Sequence, residues 1–189
     1  ALAGAVRANT GFEVLGFCHN GFRHMTNRHR RISNPADCRG MTVRLQPNAI
    51  HEALMRSWGA VPVAVDLSAG IQMIARLEVD AQENPLANTV AYGVDRVHRH
   101  VTMTGHLYGA RGLFAHRPTW DDFDIDLRRV MSKAARTAIE VQRRAADEME
   151  LALRQRLESE GVEFVDLTDE ERSEFIEASA PAIALAHEG

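Results

Sequence analysis

Three consecutive polar side chains stand out in the segment VDAQENP, which covers residues 79–85. Gln82, Glu83 and Asn84 follow an apolar approach and precede Pro85. Asn is among the preferred N-cap residues and Pro is favoured in the first turn, so this sequence predicts the start of a helix. A helix N-terminus also binds anions, because its backbone N–H groups point outward. Helix capping and anion binding are therefore both open roles for Asn84.

Two arginines are placed where they could bind an anion. Arg44 lies near the carboxyl end of the alternating segment Met41–Leu45, whose other face is apolar, and Arg23 follows the turn signal Asn20-Gly21. Ligands of α/β sheets bind beyond the carboxyl ends of strands. A guanidinium presents a planar fork that matches a carboxylate. Taken alone, each arginine is more typical of a solvated surface.

Signatures of enzymes and metal sites are absent from the sequence. The nine histidines include His98 and His100 on one strand face and His19, His24 and His29 at intervals of five, and neither set has a tight metal-binding spacing. There is no GxSxG, CxxC or glycine-rich phosphate loop. The sequence therefore predicts neither a catalytic residue nor a metal or cofactor.

Composition excludes several classes of partner. The chain has 189 residues, a net charge of −4 and 45% hydrophobic residues, as in ordinary globular proteins. Its acidic balance argues against non-specific nucleic-acid binding, so the basic run Asn27–Arg31 is interpreted as a solvated loop. No apolar run approaches the roughly 18 residues of a membrane span. The opening residues show neither an initiator Met nor a signal-peptide pattern, which predicts a mature or trimmed product.

The chain has two cysteines, Cys18 and Cys38. Two cysteines in a chain of this length are not a disulfide scaffold. Two buried thiols and a single bridge formed in an oxidising compartment are both consistent with the sequence.

Short strand patterns alternate with helix patterns, which predicts an α/β fold with a mixed sheet. Near the start, strands are predicted over Phe12–Phe17 and Phe22–Thr26, with a turn between them. A loop is predicted at Pro118–Trp120, before one long amphipathic helix over residues 122–160. The capping-box sequence that begins at Thr168 predicts a last helix.

Five ordered motifs together resemble the solute receptors of TRAP transporters, the tripartite ATP-independent periplasmic transporters. They are GFRHMTN, NPADCRGMTVRL, WGAVPVAV, VDAQENPLANT and VTMTGHLY. The long helix, the segment GVEFVDLTDEE and a closing helix follow in the family's order. The resemblance covers residues 11–189, and it implies a periplasmic-binding-protein-like two-lobe fold of which this chain holds the C-terminal portion, including a long lobe-spanning helix.

The resemblance also implies the ligand site. It assigns Arg44 as the clamp on a ligand carboxylate, Asn84 as a second group on that carboxylate, and Arg23 to the ligand or its water network. The remaining implied site residues are His106 near that network, Leu67 as an apolar cover, and Glu83 as a weaker candidate. Ala81, Ala69-Gly70-Ile71 and Leu67 depart from the family's usual residues, which bears on the identity of the ligand more than on the carboxylate site.

Further expectations concern organisation and role. Residues 1–20 would end the first lobe, 21–108 would form the second lobe, 109–150 would hold a hinge strand and the long helix, and 151–189 would return to the second lobe. The implied function is that of a periplasmic receptor that binds an organic acid and delivers it to TRAP membrane subunits, with no enzyme activity. A periplasmic location also favours a Cys18–Cys38 bridge. The alternatives are a ligand-sensing regulatory domain of the same fold and a His-dependent metal enzyme.

Overall fold

The computed structural model describes residues 2–188 of the chain. Its helices are α1 Leu2–Asn9, α2 Ala49–Ser57, α3 Leu67–Ala75, α4 Leu86–Ala91, α5 Arg117–Asp122, α6 Ile125–Ser159, α7 Asp169–Ala178 and α8 Ala180–Glu188. Its strands are β1 Phe12–Asn27, β2 Thr42–Leu45, β3 Val61–Ala64, β4 Ala81–Asn84, β5 His100–His116 and β6 Glu163–Val165. Short 3-10 helices cover Pro35–Cys38 and Val94–Arg96.

The strands form one mixed sheet in the order β3-β2-β4-β1-β5-β6. Strand β2 pairs in parallel with β3 and β4, β1 pairs antiparallel with β4, and β5 pairs in parallel with β6. Helices flank the sheet, so the predicted α/β class with a mixed sheet is confirmed. The parallel strands β2, β3 and β4 all have their carboxyl ends at one edge of the sheet, where ligands of such sheets bind.

The chain folds into two compact units. The first unit runs through Gly21 and resumes over Tyr108–Leu151, and the second comprises Phe22–Leu107 and the chain from Ala152 onward. The chain passes between them within β1, β5 and α6. The predicted division at residues 1–20, 21–108, 109–150 and 151–189 into receptor lobes stays a prediction.

The second unit has an apolar core centred on Trp58. This side chain is 2% exposed, and its indole Nε1 donates a 3.0 Å hydrogen bond to Ser179 Oγ. Its ring meets that of Phe175 edge-on, with 4.8 Å between centroids. Because the indole N–H has a partner, the large ring is buried without leaving an unsatisfied hydrogen-bond donor. Helices α2, α7 and α8 thus pack together behind the sheet.

Local capping agrees with the sequence at two helix starts. Asn34 and Asp37 form a reciprocal capping box at the 3-10 helix Pro35–Cys38, and Thr168 and Glu171 form the predicted one at α7. Each box satisfies two backbone N–H groups that have no partner within the helix.

In the first unit, side chains of α6 bind the backbone of β1. The Gln142 side chain accepts a 2.8 Å hydrogen bond from His19 N and donates a 2.7 Å bond to His19 O. Arg143 Nη2 donates a 2.8 Å bond to Phe17 O. Ile139, one turn away, is 7% exposed. The predicted long helix is confirmed as α6.

Three predictions of local structure were wrong. The segment from Phe12 is one strand rather than two, since Gly21 adopts a φ of +97° that glycine tolerates and the strand continues through it. The predicted loop at Pro118–Trp120 is helix α5, whose first turn holds Pro118 where no backbone N–H is needed. The last helix is divided at Ser179 into α7 and α8.

The structure has Cys18 and Cys38 as free thiols, so the disulfide that the sequence left open is not formed in it. Cys38 ends a 3-10 helix with its side chain fully buried in the core of the second unit. Burial raises the pKa of this thiol to about 12, which keeps it protonated and unreactive. Cys18 is half-buried on β1.

Candidate functional site

The polar run Gln82-Glu83-Asn84 belongs to a buried strand, and the helix predicted at Asn84-Pro85 begins directly after it as α4 Leu86–Ala91. All four residues of β4 are at most 4% exposed. The N-cap position of α4 falls on Pro85, and no side chain caps that helix. Asn84 therefore does not cap α4, and of the two roles proposed for it only anion binding stays open.

Asn84 is held by hydrogen bonds on both ends of its amide. Its Nδ2 donates a 2.7 Å bond to Gln82 Oε1. Its Oδ1 accepts bonds of 3.2 Å from Arg23 Nη2 and 3.3 Å from Asn88 Nδ2. Gln82 Nε2 in turn donates to Thr89 Oγ1 at 3.1 Å. This network fixes the orientation of the carboxamide and leaves Nδ2 one further N–H.

Glu83 is the centre of a buried charge cluster. Arg23 Nη2 lies 2.8 Å from Glu83 Oε1, Arg23 Nε contacts the other carboxylate oxygen, and Nη2 also donates to the Glu83 carbonyl oxygen at 2.8 Å. His51 Nδ1 and His106 Nε2 lie 3.5 and 3.4 Å from the carboxylate. Glu83 is thus fully engaged from three sides.

The pKa values in this cluster follow from burial and pairing. Burial alone would raise the pKa of Glu83, but the polar contacts of His106, His51 and Arg23 outweigh it and hold the pKa well below its usual range. Burial lowers the pKa of His106, although the Glu83 carboxylate opposes that shift. The cluster therefore contains an ionised Glu83 paired with Arg23.

Arg44 is a buried cation of a different kind. Its residue is 4% exposed, and Nη2 donates a 3.0 Å hydrogen bond to Val65 O. Nε has no hydrogen-bond partner, and Arg44 forms no salt bridge with any carboxylate side chain among residues 2–187. Burial lowers the pKa of Arg44, while the negative charge of Glu83 opposes the shift. A guanidinium always stays protonated in proteins, so Arg44 carries a buried charge with no direct ion pair, although the negative charges of Glu83 and Asp66 act on it without touching it.

Strand register places Arg44 beside the Asn84 network. Arg44 is the partner of Gln82 across the parallel pair β2–β4. Because side chains alternate along a strand, Arg44, Gln82 and Asn84 belong to the same face of the sheet. Glu83 belongs to the opposite face, and Arg23 reaches both Glu83 and Asn84 at the edge of the sheet.

The structure thus brings together most of the residues predicted for the site. Arg23, Glu83, Asn84 and His106 share one hydrogen-bonded cluster, and Arg44 lies on the adjacent strand. Leu67 stands apart as the first residue of α3, with 42% of its surface exposed.

Sequence reasoning missed several members of the site. His51 reaches Glu83 from α2, and Thr89 and Asn88 hold the amides of β4 from α4. The sequence offered one usable signal. Gln82 lies two residues before Asn84, and in a strand that spacing places both side chains on the same face of the sheet. His51 lies far from Glu83 in sequence and follows no motif.

A pocket of about 350 Å³ in the second unit is unsuited to an anion. Its walls are mostly apolar, including Leu54, Trp58 and Phe175, and His106 lies in its wall. Its one arginine, Arg172, donates a 2.9 Å bond to Thr104 O.

Neither a metal-binding cluster nor a membrane-crossing helix is present in the described part of the chain. No group of three or more His, Cys, Asp or Glu within residues 2–188 is arranged to hold a metal ion. Over the same residues, no helix combines the length and apolar character required to cross a membrane.

Comparison with known proteins agrees with this geometry. Residues 1–188 match the family described as bacterial extracellular solute-binding protein, family 7. The chain belongs to this family. It is 30% identical over 172 residues to the C4-dicarboxylate-binding periplasmic protein DctP of Rhodobacter capsulatus. The match covers 90% of this chain and 51% of the Rhodobacter protein. The family 7 chain therefore spans about half the length of the relatives it matches.

Solved structures of similar fold are TRAP periplasmic solute-binding proteins. The protein from a Sulfitobacter species, with bound β-D-galacturonate, has a TM-score of 0.91 and 25% identity, covering 97% of the family 7 chain and 60% of that chain. The protein from a Polaromonas species, bound to D-erythronate, has a TM-score of 0.89 and 29% identity, with coverages of 99% and 61%. The predicted family and the periplasmic-binding-protein fold are confirmed.

Proposed function

We propose that this chain is the ligand-binding part of a TRAP solute receptor, which captures an organic acid by its carboxylate in the periplasm. The observation that carries the proposal is Arg44, a buried guanidinium without a carboxylate partner among the described residues. Burying a charge that has no ion-pair partner in direct contact costs several kcal/mol, so a carboxylate ligand would supply the direct partner that Glu83 and Asp66 do not provide. Delivery to TRAP membrane subunits, and the absence of enzyme activity, are parts of the same proposal.

The known ligands of relatives support an acid. The Sulfitobacter and Polaromonas proteins bind galacturonate and erythronate, and the Rhodobacter protein is named for C4-dicarboxylates. All of these ligands carry a carboxylate group. The common element in this chain would be the guanidinium of Arg44, which can give a carboxylate two parallel hydrogen bonds.

Other side chains would orient the same carboxylate. The free N–H of Asn84 is held in place by Gln82 and Arg23, so it is available to a ligand oxygen at little entropic cost. Glu83 is fully buried and saturated by its partners, so we assign it, with His106, to holding Arg23 rather than to touching the ligand. Leu67, exposed at the start of α3, would cover the apolar part of the acid.

The predicted lobes enter as part of the proposal. The unit that contains Phe22–Leu107 would be the second ligand-binding lobe, and the unit that resumes at Tyr108 would belong to the first. Receptors of this architecture close their lobes over the ligand by a hinge motion.

The decisive experiment is isothermal titration calorimetry of sugar acids, hydroxy acids and dicarboxylates against the wild-type chain and Arg44→Ala. Each charge-assisted hydrogen bond contributes about 1.5–3 kcal/mol, so losing two should weaken binding roughly 10²- to 10⁴-fold. Arg76→Ala is the matched control, because Arg76 is an exposed arginine in the same unit, beyond the end of α3. The control should bind as the wild type does. A folded wild-type chain that binds no acid, or an Arg44→Ala chain that binds equally well, would contradict the proposal.

A further inference from the structure

Helix α3 has a glycine in its interior, although the helix backbone there does not require one. Gly70 is the fourth residue of Leu67–Ala75, is buried, and donates the regular helical hydrogen bond from its N to Asp66 O at 3.0 Å. Its φ is not in the left-handed region. Glycine in a helix interior is less favourable than alanine, so this residue needs another explanation.

The space beside Gly70 is filled by the side chain of Arg44. A Cβ atom built at Gly70 would lie 2.8 Å from Arg44 Cδ and Cζ, and closer still to Nε. These three are the nearest heavy atoms, and all belong to the same arginine. Carbon atoms in contact are about 3.5–4.0 Å apart, so Arg44 and any side chain at position 70 cannot both keep their places.

Arg44 has little room to move away. It is 4% exposed, and its Nη2 is bound to Val65 O in the loop between β3 and α3. The guanidinium therefore lies between the Val65 carbonyl and the backbone of Gly70.

We propose that Gly70 is a positioning residue particular to this chain, in a segment that departs from the family's usual residues: its missing side chain lets the Arg44 guanidinium lie against α3, and this placement sets how the arginine would meet a ligand carboxylate. This inference rests on the proposed function, because it concerns the arginine assigned to the carboxylate. Gly70 itself touches no ligand and acts only through Arg44. A shift of about 1 Å in a charged clamp costs a large part of its contribution.

The first test measures affinity. Gly70→Ala should weaken binding of whichever acid the wild-type chain takes, by roughly tenfold or more. Gly4→Ala is the matched control, because Gly4 is also in a helix but has no heavy atom within 4 Å of its built Cβ. It should leave affinity unchanged. Wild-type affinity in a folded Gly70→Ala chain would overturn the proposal, while the proposed function would stand.

The second test needs no ligand and uses a double-mutant cycle on thermal stability. With Arg44→Ala in place, the space beside Gly70 is open, so adding Gly70→Ala should raise the Tm by a few degrees through the better helix propensity of alanine. With Arg44 present, the same substitution should give no such rise or should lower the Tm. A Tm rise from Gly70→Ala that occurs only when Arg44 is absent is specific to contact with Arg44.

An equal shift in both backgrounds would overturn the inference, because the effect of Gly70→Ala would then be independent of Arg44. A wild-type chain that binds no acid, together with a Tm rise that occurs only when Arg44 is absent, would instead count against the proposed function and leave the Gly70–Arg44 contact established. The two tests therefore separate the failure of one proposal from the failure of the other.

Discussion

Arg23 and Arg44 are two buried arginines of the same compact unit, and they differ in how their charge is balanced. Arg23 shares the Glu83 carboxylate with His51 and His106, while Arg44 has one backbone oxygen and no carboxylate within the described residues. The first arrangement is complete in the protein alone. Under the proposed function, a ligand carboxylate would complete the second, so charge balance would distinguish a structural arginine from a ligand-binding one.

Breaking the Arg23–Glu83 pair should have the largest effect on stability. Glu83→Gln leaves the Arg23 guanidinium buried and unpaired, so it should lower the free energy of unfolding by about 3–5 kcal/mol, measured by urea denaturation. Glu78→Gln, at a partly exposed carboxylate whose nearest cation is 3.9 Å away, should change it by less than about 1 kcal/mol.

The double change Arg23→Met with Glu83→Leu sharpens this prediction. It removes both charges at once, so it should cost less than Glu83→Gln alone. A Glu83→Gln chain as stable as the wild type would show that Arg23 does not depend on Glu83.

The same pairing predicts a loss of stability in acid. The folded pKa of Glu83 is held below its unfolded value of about 4.3, so its stabilising contribution is full above that pH and is lost as the pH falls toward the folded pKa. Asp80 behaves alike, because hydrogen bonds from His29, Thr42 and Arg28 lower its pKa despite burial.

Urea denaturation at pH 7 and at pH 3 measures this effect. The free energy of unfolding should fall by about 1–3 kcal/mol between these two values, and the fall should be smaller in Glu83→Gln. A variant whose pH dependence matches that of the wild type would exclude Glu83 as a source of it.

The difference between the two arginines also explains what sequence reasoning could achieve. Alternating apolar residues predicted β2, and the motif order identified the family, because both signals depend on residues that are close together in the sequence. The helix after Pro85 was predicted and is confirmed as α4, but the buried strand before it was not predicted, since Gln82, Glu83 and Asn84 are polar residues typical of a helix start. They form a buried strand only because Arg23 and Thr89 supply partners from elsewhere in the chain.

Contacts between distant segments left no such pattern. Gly70 lies against Arg44 because of the way α3 packs on β2, and no spacing in the sequence relates the two residues. Gly21 is similar: an Asn-Gly pair favours a turn, but the sheet continues through it.

Removing the charge of Arg44, which has no direct carboxylate partner, should have the smallest effect on stability. Arg44→Met keeps a long side chain and removes a buried charge that has no direct ion-pair partner, at the cost of one hydrogen bond to Val65 O. Losing that bond costs about 1.5–3 kcal/mol, and relieving the buried charge offsets a similar amount. The ligand-free free energy of unfolding should therefore stay within about 1 kcal/mol of the wild type. Arg23→Met leaves the buried Glu83 carboxylate without its arginine partner, so it should lower the free energy of unfolding by about 3–5 kcal/mol. If Arg44→Met were as destabilising as Arg23→Met, both arginines would be structural, and an external anion would no longer be needed to account for Arg44.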